Sequence, residues 1–244
     1  MIMNRTVIDC SSLTSKEINS LLRCHKNQKV SLTGVLGQRF IGSGMKDLDI
    51  DISGTPGNAL GAYLDGCSIS VNGNAQDAVG DTMNDGLISI CGSVGDALGY
   101  SMRGGKIYVK GNSGYRTGVH IKEYGNKKPL IVIGGKTGSF LGEYLAGGTI
   151  VVLGIGISGS VAGNFTGTGM HGGLIYLRSD TLPPNLPKQV SVSDGNERDI
   201  STLQTLLSEY FSLFSLDQDE ILSSHFFVLR PNAKNPYKQL YVLN

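Results

Sequence analysis

The sequence predicts an all-β solenoid, a single-stranded right-handed parallel β-helix with short capping helices at its N- and C-terminal ends. Three observations lead there. Glycines recur at a step of 19 residues: Gly54, Gly73, Gly92 and Gly111 form one series, and Gly42, Gly61, Gly80, Gly99 and Gly118 another. Apolar pairs two residues apart keep the same step, at Ile50/Ile52, Ile69/Val71, Ile88/Ile90 and Ile107/Val109. The pairs are short and β-branched, so their internal period is that of a strand and not that of a helix.

A fixed short period means stacked supersecondary units, each burying its apolar face only against its neighbours. Strands joined by identical connections run parallel. Turns stacked about 4.8 Å apart make a body on the order of 30 Å long from roughly seven coils. Glycine sits where the backbone turns a corner, and a bulky residue there is expected to cost about 1–2 kcal/mol or more. A small residue also recurs in phase, at Ala59, Ala78 and Ala97, until Arg116 breaks the series. A loop from His120 to Pro129 then adds five residues. The register resumes at Ile131/Ile133, continues at Ile150/Val152, and ends at Ile175/Leu177 after a longer excursion.

Two appendages flank the coil. Thr14-Ser15-Lys16-Glu17 matches a capping box, and Ile18, Leu21 and Leu22 follow at helical spacing. This predicts a helix over about 14–26, covering the open first turn. Pro183, Pro184 and Pro187 mark 179–196 as a linker. Ile200, Leu203, Leu206/Leu207, Tyr210 and Phe214 then form the apolar stripe of an amphipathic helix, and Leu216 to Leu222 another helical turn or two. The apolar stretches Phe226–Leu229 and Leu240–Leu243 must pack on the coil or on a partner. The expected organisation is an N-terminal capping segment (1–29), the coil (30–178), and a linker with a helical and extended tail (179–244).

Composition narrows the function. The 35 glycines among 244 residues are about twice the usual ~7%. The net charge is +1, without the basic footprint of a nucleic-acid binder. No apolar run reaches the ~20 residues of a membrane span, and no signal peptide is read at the N-terminus. Cys10, Cys24, Cys67 and Cys91 show no C-x-x-C spacing. Free thiols in a reducing cytoplasm are therefore expected.

Motifs with chemical meaning do not assemble into a site. Gly154-Ile155-Gly156-Ile157-Ser158-Gly159 matches G-x-G-x-x-G but leads into no helix, which a dinucleotide fingerprint requires. Gly167-Thr168-Gly169-Met170-His171-Gly172 leads into a strand. Gly134-Gly135-Lys136-Thr137 lacks the upstream glycine of a phosphate loop, so Lys136 reads as a turn lysine. No G-x-S-x-G occurs. Asp65, Asp77, Asp81, Asp85 and Asp96 do not follow the period of a calcium β-roll. No catalytic, cofactor-binding or metal-binding residue is assigned. His171 stands in the longest irregular turn. Tyr115, Arg116, His120, Lys122, Glu123 and Tyr124 form a polar and aromatic run, which reads as a docking surface or as a solvated loop.

The repeated G-N-A-x-x-x-G and the segment from Tyr144 to Gly154, Tyr-Leu-Ala-Gly-Gly-Thr-Ile-Val-Val-Leu-Gly, resemble the GXGXG domain that closes the large subunit of glutamate synthase. A related repeat occurs in one of the subunits of formylmethanofuran dehydrogenase. The resemblance covers about residues 30–178. Asn4-Arg5-Thr6 and the run Gly169 to Tyr176 lean to the glutamate synthase side, and the N-terminal helix and the tail Arg230-Pro231 to Tyr241 are similar to those of stand-alone versions. The resemblance implies a non-catalytic coil that packs between a glutamine amidotransferase with an N-terminal cysteine nucleophile and an FMN- and iron–sulfur-containing synthase. This chain has Ile at position 2 and no clustered cysteines. The implied role is a structural subunit of a split glutamate-synthase-like complex, binding no cofactor itself. Its implied partners are an amidotransferase-like chain and an FMN-dependent glutamate synthase-like chain, with self-association left open. The alternatives are the corresponding GXGXG component of a formylmethanofuran dehydrogenase and a stand-alone hydrolase.

Overall fold

A computed structural model describes residues 5–232. Its elements run β1 (Arg5–Asp9), α1 (Ser15–Arg23), β2 (Lys29–Leu36), β3 (Asp49–Thr55), β4 (Asp65–Asn72), β5 (Asp85–Ile90), β6 (Lys106–Val109), β7 (Leu130–Ile133), β8 (Ala146–Val152) and β9 (Gly172–Arg178). They continue with β10 (Val190–Asp194), α2 (Glu197–Phe214), α3 (Gln218–Leu222) and β11 (Phe226–Pro231). All eleven strands join one open sheet in the order β1 to β9, then β11, then β10. Every pairing from β1 to β9 is parallel, and β11 pairs antiparallel with both β9 and β10. This mainly parallel sheet with few helices is compatible with a β-helix or solenoid-like fold.

The predicted ladders are in register. Ile50 lies against Ile69, Ile69 against Ile88, and Ile88 against Ile107. Beyond the inserted loop Ile107 meets Ile131, then Ile150, then Ile175. These side chains and the parallel ladder Ile52, Val71, Ile90, Val109, Ile133, Val152, Leu177 are buried in one core. Apolar burial at about 25 cal/mol per Å² supplies the drive to stack coils.

The glycine of each corner is required twice over. Gly99 has φ +65°, and a Cβ added there would lie 2.4 Å from Ile131 Cδ1, the ladder residue two coils on. Backbone N–H groups at the corners bond the preceding coil, as Gly80 N–H to Leu60 O and Gly99 N–H to Val79 O, each at 2.8 Å. Side chains extend this bonding. Asp77 Oδ1 accepts from Asp96 N–H at 2.9 Å, and Asp96 Oδ1 accepts from Tyr115 N–H at 2.8 Å. Asn74, Ser93 and Asn112 do the same one column over. Asp77 and Asp96 are thus explained as rungs between coils.

The predicted N-terminal helix is α1, capped by Thr14 with the reciprocal Glu17 bond. Asn19 ties it to the first corner: its Nδ2 donates to Phe40 O at 3.0 Å and its Oδ1 accepts from Gly42 N–H at 3.0 Å. The segment expected only as a cap also contributes β1, the edge strand beside β2.

The C-terminal end differs more. The proline-rich stretch read as a linker contains β10. The helix α2 is 18 residues long and lies along the flank of the sheet, so it is not a short end cap. Its Leu203, Leu207, Tyr210 and Phe214 pack on the outer side chains Tyr108, Val132, Val151 and Tyr176. Tyr210 Oη donates to Val109 O at 3.1 Å inside this layer, and burial pushes its hydroxyl well up. The end of the parallel series is covered by β11, where Phe226–Leu229 pairs with β9. The segment Leu240–Leu243 lies outside the described residues, as do Asn4 and Tyr241.

Candidate functional site

The corners, not the core, present the candidate side chains. Each corner has three left-handed residues at alternate positions, the middle one always glycine: Gly42, Gly61, Gly80, Gly99, Gly118, Gly142 and Gly167. The position before it holds Phe40, Ala59, Ala78, Ala97, Arg116, Phe140 and Phe165, with φ between +56° and +63°. The position after it holds Gly44, Tyr63, Thr82, Ser101, His120, Tyr144 and Gly169. A non-glycine residue in this region costs about 1–2 kcal/mol. The break in the alanine series at Arg116 is therefore a change of side chain at constant backbone.

These outer positions form two columns of rings. Arg116 sits 4.9 Å over the Phe140 ring and reaches Glu143 at 3.7 Å. Phe140 stacks on Phe165 with centroids 5.3 Å apart. In the second column His120 stacks on Tyr144 at 4.9 Å and meets the edge of Tyr100 at 5.9 Å. Phe40 and Tyr63 hold rings at the same two positions nearer the N-terminal end, 54% and 56% exposed, separated from these stacks by Ala59, Ala78 and Ala97 and by Thr82 and Ser101.

The run singled out in the sequence lies at this corner. Tyr115 is exposed, and Arg116 and His120 are column members. Glu123 Oε1 accepts from Gly148 N–H at 2.9 Å and so anchors the inserted loop to the next coil. Tyr124 at the loop tip is 73% exposed. Ser101, Arg103, His120, Lys122, Glu123 and Tyr124 line a cavity of about 290 Å³. Sequence reading missed Phe40, Tyr63, Phe140, Tyr144 and Phe165. Their signal is their fixed place two residues from the middle glycine.

His171 stands apart from this corner, half-buried before β9, with its ring Nδ1 3.2 Å from Gly169 O. Lys136 is an exposed turn lysine whose N–H donates to Asn112 Oδ1 at 2.9 Å. The G-x-G-x-x-G segment is a six-residue bulge of the coil with Gly154, Gly156 and Gly159 at positive φ, and turns follow it, not a helix. A cavity of about 640 Å³ beside it is lined by Arg178, Ser179, Asp180 and His225, among others. His225 bonds Ser179 O at 2.8 Å and Asp194 Oδ1 at 2.9 Å. These acceptors hold its pKa above the usual histidine value.

The four cysteines are free, and burial pushes the Cys67 thiol up to about 11, away from reactivity. Among the described residues no group of three or more His, Cys, Asp or Glu is placed to hold a metal ion. Among the same residues no helix is long and apolar enough to cross a membrane.

An uncharacterized protein of Methanocaldococcus jannaschii is 42% identical over 253 residues, covering 98% of this chain and 97% of that one. Among solved structures, a chain of the formyltransferase/hydrolase complex FhcABCD from Methylorubrum extorquens, in complex with methylofuran, matches with a TM-score of 0.59. That match covers 89% of this chain and 88% of the other at 16% identity, a likeness of fold. The family model described as the GXGXG motif matches residues 11–232, and the chain belongs to that family.

Proposed function

We propose that this chain is a non-catalytic structural subunit of a multi-chain enzyme, and more specifically of a split glutamate-synthase-like complex. It holds a glutamine amidotransferase chain and an FMN- and iron–sulfur-bearing synthase chain in register, and binds no cofactor itself. The observation that carries this reading is the GXGXG match over 11–232, nearly the whole chain. The inner side chains are spent on stacking, and what faces outward at the corners is a set of rings suited to contact, since aromatic residues and arginine are enriched at interfaces.

The coil is taken as a single-stranded right-handed parallel β-helix, in keeping with the handedness of parallel crossovers. The segments 1–29, 30–178 and 179–244 are its cap, body and tail, and its compartment is the cytoplasm. A second reading, the GXGXG component of a formylmethanofuran dehydrogenase, is favoured by the likeness to a chain of FhcABCD.

Co-expression with the amidotransferase-like and synthase-like chains of the same organism tests the proposal. The expected result is a co-eluting three-chain assembly that makes glutamate with glutamine as nitrogen donor. Omitting this chain should abolish the glutamine-dependent rate and leave the ammonia-dependent rate. Full glutamine-dependent activity without this chain would refute the reading.

A further inference from the structure

We propose that the corner carrying Arg103 and Lys122 is a docking face for an acidic segment of a partner protein chain. This deepens the reading above and rests on it.

Arg103 and Lys122 occupy one column. Arg103 N–H donates to Met83 O, and Lys122 N–H donates to Met102 O on the next coil, so the two side chains leave equivalent positions of adjacent coils. Adjacent coils lie about 4.8 Å apart. The same column begins with Lys46 and Asp65, which neutralise each other at 3.2 Å. Among the described residues neither Arg103 nor Lys122 has a carboxylate within ion-pair distance. Two uncompensated cations side by side repel, and an incoming carboxylate relieves both.

The neighbouring column supplies the rest of the face. The backbone there accepts glycine, as Gly44 and Gly169 show at its two ends. The middle coils instead hold Tyr63, Thr82, Ser101, His120 and Tyr144 in the same left-handed conformation, three rings and two hydroxyls. Strained residues that a glycine would relieve mark sites kept for something other than stability. From Tyr63 to Tyr144 the column spans four coil steps, about 19 Å. That length suits an extended segment of roughly six residues and exceeds a small anion. The acidic side chains at this corner are already engaged: Glu123 by Gly148 N–H, Glu143 by Arg116, and Asp81 by the Thr82 hydroxyl at 2.9 Å. They oppose the continuous phosphate backbone of a nucleic acid and leave a peptide with spaced carboxylates as the better fit.

The test uses the full chain, tagged and expressed in its own cells, with benzoylphenylalanine in place of Tyr124. Irradiation followed by mass spectrometry identifies what lies on the face. The proposal expects a crosslink to an acidic segment of a co-purifying chain. R103E/K122E should lower recovery of that chain about tenfold or more, with R103Q/K122Q intermediate and K16E, on the exposed side of α1, without effect. Crosslinks to nucleic acid or to a second copy would overturn the proposal. So would partner chains that co-purify undiminished by R103E/K122E. Either result leaves the structural-subunit reading standing. Recovery of the wild-type chain with no partner overturns both.

Discussion

The two halves of the sheet use the same inner ladder and opposite outer faces. In β3 and β4 the outward positions Asp51, Ser68 and Ser70 are polar and half-buried, and the strands alternate as one-sided strands do. In β6 to β9 the outward positions are Tyr108, Val132, Val151 and Tyr176, all covered by α2. Leu130-Ile131-Val132-Ile133 accordingly runs without alternation and is buried throughout. The change falls where the coil meets its own C-terminal helix. The chain thus closes one flank internally and leaves the corners and the other flank to solvent or to partners.

Substitutions can break this contrast. Large effects are expected both at the shared inner ladder and under α2. Ile107→Ala should cost about 2–5 kcal/mol by opening a cavity among coils that cannot collapse, while Ser70→Ala on the solvent flank should stay within about 0.5 kcal/mol. Urea unfolding measures both, and equal costs would erase the distinction between faces. Tyr210→Ala should cost about 3–5 kcal/mol by unseating α2. Tyr210→Phe should cost about 1 kcal/mol, the value of its bond to Val109 O, which also accepts from Gly134 N–H.

Repeat and ladder were readable because a 19-residue period writes itself into Ile50, Ile69, Ile88 and Ile107 without reference to distant chain. The middle corner glycines were readable for the same reason. The aromatic columns were not, because Phe140 and Phe165 sit where earlier coils have alanine, and only the left-handed backbone shows the positions to be equivalent. β10 was hidden by Pro183, Pro184 and Pro187, which signal turns and mask the short alternation of Val190 to Ser193. The insertion of β11 between β9 and β10 depends on contacts far apart in sequence, which local pattern does not encode.

The smallest effect concerns the hairpin of β10 and β11. His225 donates to two acceptors only when both ring nitrogens carry protons, so the protonated form is the one that clasps Ser179 and Asp194. Its folded pKa is raised above the ordinary 6.5. The stabilisation is therefore fully present below pH 6.5 and is lost as pH rises through the folded value. The protection factors of the β10 amides, taken against the intrinsic rise of exchange with pH, should fall across that range. His225→Gln should flatten the profile, and an unchanged slope in that variant would assign the effect elsewhere.

Hydrogen–deuterium exchange on the chain alone and within its purified assembly bears on the central claim most directly. Strands β6 to β9 should be equally protected in both states, because α2 already covers them. Amides of the corner, at 97–103 and 116–124, should slow on assembly. Protection gained at β6 to β9, with none gained at that corner, would contradict the account.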